Sequence, residues 1–119
     1  MNIRKPTDYT TLFTALDAAV AAQLPQMELY REIGRVVSGR VEKGAAVAAS
    51  ERLQAAYPTA EGFSPRNVRR MRDFYRMYGD TPELLVEAMR LNWTQNVVIM
   101  ENDTLMDGYR PNPLEETNP

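Results

Sequence analysis

Residues 62–79 read Gly-Phe-Ser-Pro-Arg-Asn-Val-Arg-Arg-Met-Arg-Asp-Phe-Tyr-Arg-Met-Tyr-Gly. Ser64 supplies an N-cap, and Pro65 suits the first helical position, where its missing N–H costs nothing. Gly79 suits the C′ position at the other end. Val68, Met71, Phe74, Tyr75 and Tyr78 recur at helical spacing and should face a core. Arg66, Asn67, Arg69, Arg70, Asp73 and Arg76 fall largely on the other side. Ser64–Gly79 thus holds five arginines against one acid, Asp73. Arg can pair bidentately with guanine and Asn with adenine, and both bind phosphate. A solvated Arg-rich surface helix explains the same pattern, so two readings stand at this point.

Outward from this segment the pattern stays helical. No apolar/polar alternation of strand length appears between turn signals. Residues 1–7 read as a loose arm. A first helix is expected from Tyr9 to Gln23, with Asp8 as its cap and Leu12, Leu16, Ala19 and Val20 inward. Pro25 interrupts. A second helix is expected over Gln26–Glu42, with Leu29, Ile33, Val36, Val37 and Val41 as its stripe. Gly34 and Gly39 weaken it by about 1 kcal/mol each relative to Ala, which close packing against another helix would explain. An alanine-rich helix follows over Ala45–Tyr57 and stops at Pro58. Thr81 and Pro82 open a further short helix, with Leu84, Leu85, Ala88 and Met89 apolar. The last helix covers Trp93–Met106. The expected fold is therefore all-α: a compact domain of five or six helices over residues 1–107. Residues 108–119 read as a disordered tail or the start of a linker. Ala45–Tyr57, a turn and Ser64–Gly79 form a helix-turn-helix-like pair, with the basic helix as the reading element; an ordinary αα-hairpin has the same layout.

Composition narrows the function classes. The chain has 119 residues, 44% hydrophobic and 25% charged, as in ordinary soluble domains. There is no cysteine and no histidine. Disulfides, thiolate metal sites, His-based triads and imidazole bases are excluded within this chain. No Walker-type loop and no Gly-x-Gly-x-x-Gly occurs. No catalytic residue, metal ligand or cofactor is expected, and the chain is read as non-enzymatic. No 18-residue apolar run and no secretory signal is apparent, so membrane insertion is not expected and the cytoplasm is the expected location. The net charge of −2 conceals an asymmetry. Residues 1–63 are neutral, 64–79 carry +4, and 80–119 carry −6. The distribution matters more to nucleic-acid binding than the total.

Three elements carry a resemblance to a known family. They are Tyr30-Arg31-Glu32-Ile33-Gly34-Arg35, then Gly62 to Tyr75, then Leu91-Asn92-Trp93. Together, over roughly Leu24 to Tyr109, they resemble the YhcG-type N-terminal domain, domain of unknown function 1016. Val68 stands where the family usually has Leu, Arg31 where it often has Trp, and Thr94-Gln95 where it often has Ser-His. In that family the domain typically precedes a nuclease domain of the PD-(D/E)XK type and is regarded as a helical DNA-binding module. The resemblance implies the binding module without the catalytic one.

The expected function is binding of duplex DNA through the basic helix 64–79. Ser64, Arg66, Asn67, Arg69, Arg70 and Arg76 are the candidate contacts. Arg72 is expected to pair with an acid such as Glu32 or Asp73. The expected partners are duplex DNA, a nuclease and a second copy of the chain. The alternative is a protein-interaction module in which the basic helix docks an acidic partner and the apolar Val97–Met100 run supports self-association. A domain excised from a longer nuclease is a third reading. Trp93, Phe74, Tyr75 and Tyr78 are expected in the core rather than stacked on bases, and Glu101, Asp103 and Asp107 on a solvated face.

Overall fold

The computed structural model describes residues 6–102. They form six helices: α1 (Thr10–Ala21), α2 (Gln26–Ser38), α3 (Ala45–Ala56), α4 (Pro65–Tyr78), α5 (Pro82–Met89) and α6 (Trp93–Glu101). The all-α expectation holds. The tail read at 108–119, and Asp103 and Asp107, lie outside the described residues.

α4 is the centre of the fold. It packs against α2, α3, α5 and α6, while α1 closes the far side against α2 and α3. The reason is its apolar stripe: Val68, Met71 and Phe74 are fully buried, each by the helical spacing read above. Burying side chains of that size contributes about 1.5–3 kcal/mol apiece. They meet Ile33 and Val37 of α2, Leu53 of α3, and Leu12 and Leu16 of α1 in one cluster. An aromatic group caps it, with the Trp93 ring 5.0 Å from Tyr30 and 5.8 Å from Phe74, both edge-on.

Gly34 explains itself at the α2–α4 crossing. A Cβ there would stand 2.1 Å from the backbone oxygen of Met71, so only glycine lets the two helices approach this closely. Gly62 is the second glycine with a clear duty. Its φ is +91°, and its missing side chain leaves room for the Tyr30 hydroxyl.

The α3–α4 connection, residues 57–64, is fastened from below. The Ser50 hydroxyl, fully buried, donates to the Phe63 carbonyl at 2.6 Å, and Gln54 Nε2 donates to the same oxygen at 2.9 Å. Phe63 itself is buried. α6 opens on a reciprocal cap: Asn92 Oδ1 accepts from the Gln95 N–H at 2.8 Å, and Gln95 Oε1 accepts from the Asn92 N–H at 3.0 Å.

Some local expectations are corrected. α2 stops at Ser38 rather than Glu42, and Val41 is 94% exposed instead of lining the core. Beyond Gly39, Arg40 turns aside to bond Glu42, the Thr11 hydroxyl and the Asp8 carbonyl, and it lies over the Tyr9 ring. Gly79 caps α4 at φ −60°, not in the left-handed conformation. Thr81 makes no side-chain cap on α5, and Leu84 is exposed. The cap position of α1 is Tyr9, with no side-chain cap bond, rather than Asp8, which lies one residue earlier and accepts from the Thr10 N–H at 2.9 Å.

Candidate nucleic-acid interface

Because α2, α3, α5 and α6 cover the rest of α4, one arc of that helix faces solvent. Arg66, Arg69 and Arg76 are exposed along it. At about 1.5 Å per residue, the stripe from Arg66 to Arg76 is about 15 Å long. Arg66 and Arg69 form no ion pair among the described residues. Arg76 donates Nε–H to the Ser38 hydroxyl at 3.1 Å, which steadies the guanidinium without neutralising it. Asp73 lies between them, ion-paired to its neighbour Arg72 at 3.0 Å. The pairing expected for Arg72 is thus with Asp73; Glu32 instead pairs with Arg35 at 2.5 Å. That guanidinium, through its hydrogen bond, holds the Glu32 carboxyl below the usual carboxylate range.

The other three candidate contacts are engaged inside the domain. Ser64 Oγ accepts from the Asn67 N–H at 3.1 Å and so caps α4. Asn67 uses both arms of its amide: Nδ2 donates to the Gly62 carbonyl at 2.7 Å, and Oδ1 accepts from Trp93 Nε1 at 2.8 Å. With Nδ2 tied to Gly62 and Oδ1 to Trp93, the amide is held against the domain and is not free to turn its donor and acceptor together toward adenine. Arg70, on the edge of the arc, forms an ion pair with Glu101 at the end of α6. The stripe therefore offers three guanidinium groups, and its chemistry suits phosphate contact better than base readout.

The placement of α4 bears on the helix-turn-helix layout. A motif of that kind joins its helices by a turn of about three to four residues. Here the link runs over 57–64, and α4 is flanked on several sides. The major groove, about 12 Å wide, admits a helix only when its flanks are clear.

Beside Arg76 the surface is hollowed into a cleft of about 400 Å³, lined among others by Arg40, Lys43 and Arg72. Sequence reading missed Arg40 and Lys43. They lie in the loop between α2 and α3, without a periodic pattern to mark them.

Leu84 and Val86 are exposed on α5 and Val98 on α6. Of the Val97–Met100 run, Val98 is presented to solvent and Met100 is buried. Among the described residues no group of acids could hold a metal ion, and no helix is long and apolar enough to cross a membrane.

The three elements quoted from the sequence meet at one place. Tyr30 from the first, Gly62 and Asn67 from the second, and Trp93 from the third are in mutual contact or hydrogen-bonded. A family model of the DUF1016 N-terminal domain matches residues 14–108, and the chain belongs to that family. No curated protein and no solved structure matches it.

Proposed function

We propose that this domain is a non-enzymatic nucleic-acid-binding module that holds duplex DNA by its phosphate backbone through Arg66, Arg69 and Arg76. The observation that carries this reading is the stripe itself: three exposed arginines on one face of a rigid, centrally packed helix, two of them with no ion pair among the described residues. Phosphate neutralisation by such groups releases counterions and dominates nonspecific affinity. A stripe of about 15 Å spans few phosphates, so a second copy or a nuclease partner would add the affinity that one short helix lacks.

The test is fluorescence anisotropy with labelled duplex DNA at low and moderate salt, on wild type and Arg66→Ala/Arg69→Ala. Salt-sensitive binding that the double variant loses, with helical content unchanged by circular dichroism, supports the reading. No binding to duplex at low salt sinks it. The exposed Leu84, Val86 and Val98 favour a second reading, a protein-docking module, which would then take its place.

A further inference from the structure

The cleft beside Arg76 lies where three segments meet: the end of α2, the loop that runs into α3, and the C-terminal half of α4. Four cationic side chains line it, Arg40, Lys43, Arg72 and Arg76, against one acid, Glu42. Like charges gathered in a concave wall repel one another and focus a positive potential into the hollow. An anion in the cleft relieves that repulsion.

The cations are also held ready. Arg40 is fixed by Glu42 at 2.9 Å, by the Asp8 carbonyl at 2.8 Å and by the face of Tyr9. Arg72 is held by Asp73, and Arg76 by the Ser38 hydroxyl. Lys43 is exposed and without an ion pair among the described residues. Glu42 and Asp73 compensate Arg40 and Arg72, so among the described residues the uncompensated charge is that of Arg76, steadied by Ser38, and of the movable Lys43 ammonium, and a ligand meets the fixed groups with little ordering cost.

Two further features match the same ligand. Gly44, the cap position of α3, has no side chain to bond the helix start, and the first residues of α3, Ala45 and Ala46, line the cleft. The Ala45 N–H already bonds the Glu42 carbonyl at 3.2 Å, and the rest of that first turn adds partial positive charge at the cleft wall. Val41, 94% exposed, also lines the cleft and offers an apolar contact for a sugar ring beside the phosphoryl group.

We propose that this cleft is a phosphate-binding site, taking a phosphoryl group from a polynucleotide backbone or a free phosphate ion. It shares Arg76 with the α4 stripe, and rests on the nucleic-acid reading above for the polynucleotide source alone. In that case the backbone runs along α4 and ends in the cleft.

The experiment is an amide NMR titration of the full chain, first with inorganic phosphate against chloride at matched ionic strength, then with a short DNA duplex. Lys43→Glu is run in parallel, with Lys43→Gln as the milder change. The expected result is a saturable perturbation of the amides of Lys43 to Ala46 and of the Arg76 side chain, abolished by Lys43→Glu. The variant should also lower the salt slope of duplex binding by about one, the loss of one phosphate contact. Perturbation by both ligands marks a site for the oxyanion itself; perturbation by duplex alone marks a backbone site. If neither ligand moves these signals, or Lys43→Glu leaves titration and slope unchanged, the cleft is not such a site. The two readings fail separately. Duplex binding lost in Arg66→Ala/Arg69→Ala, with both duplex binding and the phosphate titration untouched by Lys43→Glu, keeps the stripe and removes the cleft. Phosphate shifts at the cleft in a chain that does not bind duplex keep the cleft and remove the stripe.

Discussion

Trp93 Nε1 donates to Asn67 Oδ1 at 2.8 Å, tying the first residue of α6 to the first turn of α4. The other arm of the same amide holds the Gly62 carbonyl. Asn67→Ala removes the partner of both groups at once. An unsatisfied polar group in such a site costs about 1–3 kcal/mol. Urea unfolding should show that loss, while DNA affinity per folded molecule stays within twofold of wild type. A variant as stable as wild type that binds DNA much more weakly would return Asn67 to the interface.

The close approach of α2 and α4 predicts the fate of Gly34→Ala. Alanine is the better helix former by about 1 kcal/mol. Its methyl would nevertheless stand 2.1 Å from the Met71 oxygen, a backbone atom that cannot step aside. Overpacking of this kind costs about 1–3 kcal/mol or more, so the clash wins and the variant is destabilised. An increase in denaturation midpoint would mean that the helices separate easily.

Arg70 and Glu101 make a sharper test of the stripe than deletion alone. Their pair lies at the surface, where such contacts contribute about 0–1 kcal/mol. Glu101→Gln should therefore leave stability nearly unchanged, free Arg70, and raise duplex affinity at low salt. Arg70→Ala should weaken binding less than Arg66→Ala or Arg69→Ala. Equal effects from all three arginines would show that Glu101 does not restrain Arg70.

Stability should fall at both ends of the pH scale. Burial raises the Tyr30 hydroxyl above its usual value, against a smaller opposing effect from its hydrogen bond to Gln26, and burial also raises Tyr78. A folded pKa above the unfolded one favours the neutral phenol in the fold. That stability is complete below the unfolded value of about 10 and is lost as pH rises through the folded value. Glu32 behaves oppositely: its lowered pKa gives stability above the unfolded value of about 4.3 that is lost as pH falls through the folded one. Because Glu32 is partly exposed, the acid limb should be shallow and weaken further with salt. Thermal melts across pH check both limbs, and Tyr30→Phe should reduce the alkaline one.

Much of the fold was legible because its signals are local. Ser64, Pro65 and the period of Val68, Met71 and Phe74 mark α4 to within a residue, and of the two glycines expected to pack closely against another helix Gly34 does so, whereas a Cβ at Gly39 would meet only the carbonyl oxygens of Arg35 and Val36 in its own helix. The apolar period continues to Val41, past the end of α2 at Ser38, because the bonds that take Arg40 out of the helix come from Glu42, Thr11 and Asp8, which no period shows. The candidate site divided along the same line. Exposure of Arg66, Arg69 and Arg76 follows from helical period alone. The commitment of Asn67 depends on Trp93, 26 residues away, and that of Arg70 on Glu101, 31 residues away. Neither partner is visible in a pattern of period 3.6.

Because α4 carries the core on one side and arginines on the other, its tolerance of length change is set by rotation. Inserting or deleting one residue inside it turns everything beyond by about 100°. A deletion near Val68 would put Phe74 in the place of Asp73 and Arg76 in that of Tyr75, and an insertion would put Arg76 in the place of Met77, forfeiting packing and charge display together. In the link between α1 and α2, residues 22–25, an added residue alters no helical phase. Length variants should therefore survive there and be lost from Pro65–Tyr78, so that a library of single-residue insertions, scored only for soluble protein, would trace out the central helix.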